Sequence, residues 1–138
     1  MNDIKLYMNE LKASNGEKIK LVYEKNEDML DIFFGERSPA TGVELTDHIL
    51  LRINRKTGKA VSLTIRHFSV LTEKTEFGIR SYPLDKLEDI PDDLRELAMR
   101  VVTTEPINQF LKLSYFQASP EKRVPFIFVD RYHFASAA

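Results

Sequence analysis

Residues 46–65 read TDHILLRINRKTGKAVSLTI, and their period decides the fold class. Ile49, Leu51 and Ile53 alternate with His48, Leu50 and Arg52; beyond NRKTG, Val61, Leu63 and Ile65 alternate with Ser62, Thr64 and Arg66. Successive strand side chains point to opposite faces, so a period of two predicts one buried face and one wetter face. NRKTG is a hairpin turn, with Gly58 where the backbone needs positive φ.

The same pattern recurs upstream. Ile19, Leu21 and Tyr23 alternate with Lys18, Lys20, Val22 and Glu24; after the corner KNE, Leu30, Ile32 and Phe34 lie opposite Met29, Asp31 and Phe33. Two such hairpins predict four antiparallel strands. GERSPATG, residues 35–42, reads as a loop between them. Asp3 to Leu11 fits a helical stripe (Ile4, Met8, Leu11) and a strand alternation equally, and Asn15-Gly16 marks a turn after it.

The second half changes period. Pro91, Asp92 and Asp93 suit a helix start, and Leu94, Leu97, Ala98, Val101 and Val102 form one apolar helical stripe. Thr104 is expected to cap a second short helix burying Ile107, Phe110 and Leu111. QASPEKR then reads as a loop and VPFIFVD as a final strand, for which Pro125 argues an edge or strand-start position. The expected architecture is α+β: a single domain over 1–138, with an antiparallel β-sheet of two hairpins (18–69) packed by one or two C-terminal helices (90–113) and a late edge strand (124–130).

Twenty basic against 21 acidic residues give a net charge of −1, which removes the global basic excess of a polyanion binder. The absence of cysteine removes disulfides and thiolate metal sites and suits a reducing cytoplasm. No stretch reaches the ~20 apolar residues of a membrane span, and the first residues lack the apolar core of a signal peptide. A cytoplasmic protein is expected.

Residues 18–69 resemble domain-of-unknown-function family 2283, small bacterial and archaeal β-rich domains. Tyr23, Glu24, Asp28, Leu30 and Ile32 fall into its first motif, and residues 46–65, with Gly58 at the turn, into its second. Asp31 stands where such domains carry an aromatic, Arg52 and Asn54 where they carry acids, and Thr64 where they carry a Glu. The resemblance implies no activity and, at most, an antitoxin-like partner role. Residues beyond 69 have no counterpart in it.

Four groups of residues are candidates for function. His48, His67 and His133 stand far apart in sequence, so only the fold can gather them around a metal; surface or half-buried strand histidines are the commoner outcome. Asp28 and Asp31, or Asp31 with Glu24, are the available acid–base carboxylates, but 28 and 31 face opposite sides of one strand, and a turn-stabilising Asp28 with a solvent-facing Asp31 is expected. Arg52, Arg55, Lys56 and Lys59 ring a hairpin tip able to contact phosphates, without the interleaved aromatics that stack bases. Asp130, Arg131, Tyr132 and His133 offer an Asp–His pair without a nucleophile elbow, and no glycine-rich phosphate loop occurs.

The remaining signal is surface. Met29, Phe33, Leu50 and Phe68 fall on the second face of the sheet and leave an apolar patch unless helices or a partner cover it. The sequence therefore predicts a non-catalytic interaction or regulatory module without cofactor, most simply a homodimer, with nucleic acid disfavoured. The alternatives are a metal- or small-ligand-dependent enzyme using the histidines, and an antitoxin-like or nucleic-acid-binding partner protein.

Overall fold

A computed structural model describes residues 6–13, 15–76, 78–79 and 81–129. Both predicted hairpins form: β2 (Lys18–Glu24) with β3 (Met29–Phe34), and β5 (Ile49–Asn54) with β6 (Lys59–Arg66). Gly58 turns the second at φ 70, its N–H donating 2.8 Å to the Asn54 carbonyl. Two further strands flank them, β1 (Leu6–Lys12) and β4 (Thr41–Thr46), giving a six-stranded antiparallel sheet in the order β1-β2-β3-β6-β5-β4. The ambiguous first segment is thus strand where it is described, and the supposed loop 35–42 leads into β4 through Thr41 and Gly42.

One departure from strict alternation has a clear cause. Arg52 pairs with Ser62 but Ile53 pairs with Ala60, so Val61 is a bulge residue and Ala60 takes the inner position that the pattern assigned to Val61. Inward-facing Ile19, Leu21, Leu30, Ile32, Phe34, Ile49, Leu51, Ile53, Leu63 and Ile65 are all buried.

The buried apolar side chains beyond β6 pack on that inner face. The short helix α1 (Phe68–Leu71) follows β6 and leads to a small ladder of β7 (Lys74–Thr75) and β8 (Gly78–Ile79). After β9 (Tyr82–Pro83), a 3₁₀ turn at Asp85–Asp89 lies against β4, with Lys86 Nζ 3.1 Å from Asp47. Helix α2 (Asp92–Val102) forms with the expected stripe: Leu94, Ala98, Val101 and Val102 are buried.

The expected second helix does not form. Thr104 hydrogen-bonds back to the Arg100 and Val101 carbonyls, closing α2 rather than opening another helix. Ile107, Phe110 and Leu111 are buried as expected, but from a 3₁₀ turn (Ile107–Gln109) and the start of β10 (Leu111–Ser119). β10 pairs with β11 (Lys122–Val129), so QASPEKR is mostly strand around a tight turn.

Nor is β11 an edge: it lies between β10 and β9 in a three-stranded sheet. Pro125 is tolerated there because its carbonyl accepts from Leu84 N–H at 3.0 Å on the β9 side. A residue's N–H and C=O share one side of an antiparallel strand, so the missing donor falls where β9 has ended. Ile127 and Val129 join the large sheet's apolar residues in one core.

Candidate functional site

The end of the large sheet that carries the β2–β3 corner is tied by Asp28. Its backbone sits at φ 51, a conformation Asp adopts more readily than most residues. Its carboxylate accepts from Ser69 N–H at 3.0 Å, Ser69 Oγ at 2.6 Å and Tyr23 Oη at 2.5 Å. Burial pushes this carboxyl up, but the Ser69 and Tyr23 hydrogen bonds outweigh it and the net direction is down. Tyr23 is pushed up to about 12, by burial first and then by the bond to Asp28 and its charge. A saturated carboxylate below its usual range and a phenol above its own supply neither base nor acid near neutrality. Asp28 is a clasp between the corner and α1; the sequence placed it in the turn but gave no sign of Ser69.

The histidines lie at the same end. His48 and His67 flank paired β5 and β6, and their Nδ1 atoms are 3.1 Å apart, one donating to the other. Tyr82 packs edge-on against His48, with centroids 5.2 Å apart. His67 holds a left-handed backbone at φ 56. His133 and the Asp130–Tyr132 group lie outside the described residues. Among the described residues no group of three His, Cys, Asp or Glu side chains is placed to hold a metal.

The basic tip lies at the opposite end and does not act as a unit. Arg55 pairs with Asp93 on α2 at 3.1 Å, while Arg52 turns onto the outer face of the sheet; Lys56 and Lys59 stay exposed. An open cleft of about 670 Å³ beside this tip is lined by Asn15, Glu17, Glu36, Asn54 and Lys59 among others. Its mixed charges converge on no single ligand chemistry.

The outer face differs from both ends. Three cross-strand rows run over its middle, read from β1: Glu10–Lys20–Phe33–Ser62–Arg52–Gly42, Met8–Val22–Asp31–Thr64–Leu50–Glu44, and Leu6–Glu24–Met29–Arg66, which stops at β6; Lys12 and Lys18 pair beyond the first. At the centre Arg52 Nη1 reaches Ser62 Oγ (3.4 Å) and Thr64 Oγ1 (3.3 Å), and Thr64 Oγ1 donates to Asp31 at 2.6 Å. Ser62 and Thr64 are thereby 3% and 5% exposed without any layer above them, because the Arg52 stem and the flanking side chains lie across them. Among the described residues no buried side-chain polar atom lacks a partner.

Around this strip the open face mixes charged Glu10, Lys20, Glu24 and Arg66 with apolar side chains: Met8 is 63% exposed, Leu6 50% and Phe33 37%, with Val22, Met29 and Leu50 half-buried. Met29, Phe33 and Leu50 thus share the face on which the sequence placed them. Phe68 does not. It stacks on the inner-face Tyr23 at 5.6 Å and packs against the core, because α1 folds under the sheet.

No family model, no curated protein and no solved structure matches this chain. Geometry alone therefore carries the functional reading. Among the described residues no helix is long and apolar enough to cross a membrane.

Proposed function

We propose that the chain is a non-catalytic, cytoplasmic interaction module that meets a second copy of itself across the outer face of the six-stranded sheet. One observation carries this reading: the buried apolar side chains beyond β6 join the inner-face core, leaving Leu6, Met8, Val22, Met29, Phe33 and Leu50 exposed or half-buried on the outer face around the Arg52–Thr64–Asp31 strip. A sheet face that leaves these apolar side chains uncovered resembles half of a sheet-on-sheet contact. At its centre Ser62 and Thr64 are already bonded within the chain, so covering them leaves neither hydroxyl unsatisfied.

Phe33→Asp tests the reading. Placing a carboxylate at the centre of the contact is expected to weaken self-association by more than about 30-fold, as for a central interface residue worth ~2 kcal/mol. Folding stability should shift by no more than ~0.5 kcal/mol, since Phe33 is a surface position. Tyr115→Asp, at an exposed site on the small sheet, should leave association unchanged. Light scattering after gel filtration separates these outcomes, and equal loss in both variants would remove the outer face from the proposal.

The His48–His67 contact favours a second reading, metal binding. Imidazoles at ~2.0–2.1 Å from a tetrahedral metal hold their nitrogens about 3.3 Å apart, close to the 3.1 Å seen here. A divalent transition ion would then be held by these two nitrogens, with water completing its shell. Titration calorimetry with Zn²⁺ decides it: binding lost in His48→Asn and in His67→Asn supports the site, and binding unaffected by both removes it.

A further inference from the structure

The outer face carries a charge pattern that matches its own copy under one rotation. Glu10 and Glu24 lie on the β1–β2 side, with Lys12, Lys18 and Lys20 beside them, and Arg52 and Arg66 on the β5–β6 side, with Glu44 beyond them on β4; β3 and its Met29 and Phe33 lie between. Among the described residues no ion pair within the chain uses Glu10, Glu24 or Arg66. Resting on the self-association proposed above, we infer that the two copies are related by a two-fold axis running along β3.

The registers make the consequence explicit. Rotation about β3 exchanges β2 with the partner's β6 and β1 with its β5. Glu10 then meets Arg52, Glu24 meets Arg66, Met8 meets Leu50, and Val22 meets Thr64. Each contact occurs twice, as an isologous interface requires. Lys20 lies over Ser62 with its ammonium free to reach the rim. Phe33 and Met29 meet their own copies on the axis.

Asp31 also meets its copy, which costs Coulomb energy. Its carboxylate is turned to Thr64 in its own chain, and four opposite-charge contacts offset the repulsion. The other in-plane axis, across the strands, exchanges the first and third rows instead. It sets Glu10 on Leu6, Ser62 on Arg66 and Phe33 on Met29, and Lys20–Glu24 is its only opposite-charge contact. Charge complementarity selects the β3 axis. Each sheet is twisted, so with the two β3 strands parallel the contacts farthest from β3 are displaced most.

Glu24→Arg and Arg66→Glu distinguish this arrangement from any other. Each variant alone places two like-charge pairs in the interface and is expected to raise the dimer dissociation constant at least 10-fold by sedimentation velocity. An equimolar mixture of the two restores both ion pairs in the heterodimer and should associate within about threefold of wild type. Only a contact between chains predicts that rescue, since neither chain is repaired internally. A wild-type dimer untouched by either change would overturn the axis and leave self-association standing. A wild-type monomer would overturn both.

Discussion

Phe110→Ala is expected to remove about 3–5 kcal/mol of folding free energy, the range for truncating a buried aromatic, from a domain whose whole stability is of order 5–15 kcal/mol. Phe110 is fully buried, and its ring lies 6.0 Å from that of Phe34 on the inner face of β3. It is also the residue at which the 3₁₀ turn after α2 becomes β10. Loss of the ring therefore leaves a cavity where the large sheet, the α2 layer and the small sheet converge. Urea denaturation checks the value, with Phe110→Leu as the volume-sparing control expected to cost less than ~1.5 kcal/mol. A loss below 1 kcal/mol for the alanine variant would mean that this contact does not hold the layers together.

The second large effect belongs to the clasp at Asp28. Asp28→Ala removes the acceptor of Ser69 N–H, Ser69 Oγ and Tyr23 Oη and places Ala at φ 51, for an expected loss of about 2–3 kcal/mol at pH 7. Asp28→Asn keeps one acceptor oxygen and a residue tolerant of that backbone, and should cost about half as much. The pH dependence has two arms of fixed sign. Asp28 titrates lower folded than unfolded, so its contribution is present above the ordinary carboxylate value of ~3.9 and is lost as pH falls through the folded value. Tyr23 titrates higher folded than unfolded, so its contribution is complete below pH 10.0 and fades as pH rises towards 12. Chemical denaturation from pH 2.5 to 11.5 should therefore show a shallower acid arm in Asp28→Asn and a shallower alkaline arm in Tyr23→Phe. Arms identical to wild type would contradict the clasp.

What the sequence shows depends on how local the cause is. The hairpins over 18–34 and 49–66 are legible because one face of each is buried, so alternation is written directly into their residues. The α2 stripe is legible for the same reason at a period of 3.6. The start of β10 reads as helix although Leu111, Leu113 and Tyr115 alternate with Lys112 and Ser114, because Ile107, Phe110 and Leu111 also fit a helical spacing behind a Thr104 cap. Only pairing with β11 decides between the two periods. β4 is not legible because TGVELT is short and follows a loop rich in turn residues, its strand character resting on its pairing with β5. Val61 stayed on the wrong face because nothing in KAVSL announces a bulge.

The candidate site divides along the same line. Met29, Phe33 and Leu50 share the second face by parity alone, which is a local fact. Arg52 bonding to Ser62 and Thr64, and Asp31 accepting from Thr64, depend on β5, β6 and β3 being neighbours, and sequence order gives only the β5–β6 pair. Asp31 thus lies on the wetter face as expected, but as part of a bonded strip rather than as a free carboxylate. Phe68 shows the opposite limit: parity carried past the end of β6 fails once the chain enters α1 at a left-handed His67.

Native mass spectrometry of the unmodified protein, across a concentration series reaching tens of micromolar, tests the central claim most directly. The account predicts a species at twice the 16.0 kDa chain mass that gains population with concentration and disappears in Phe33→Asp. A single 16.0 kDa species throughout the series would contradict it and leave the outer face as plain surface.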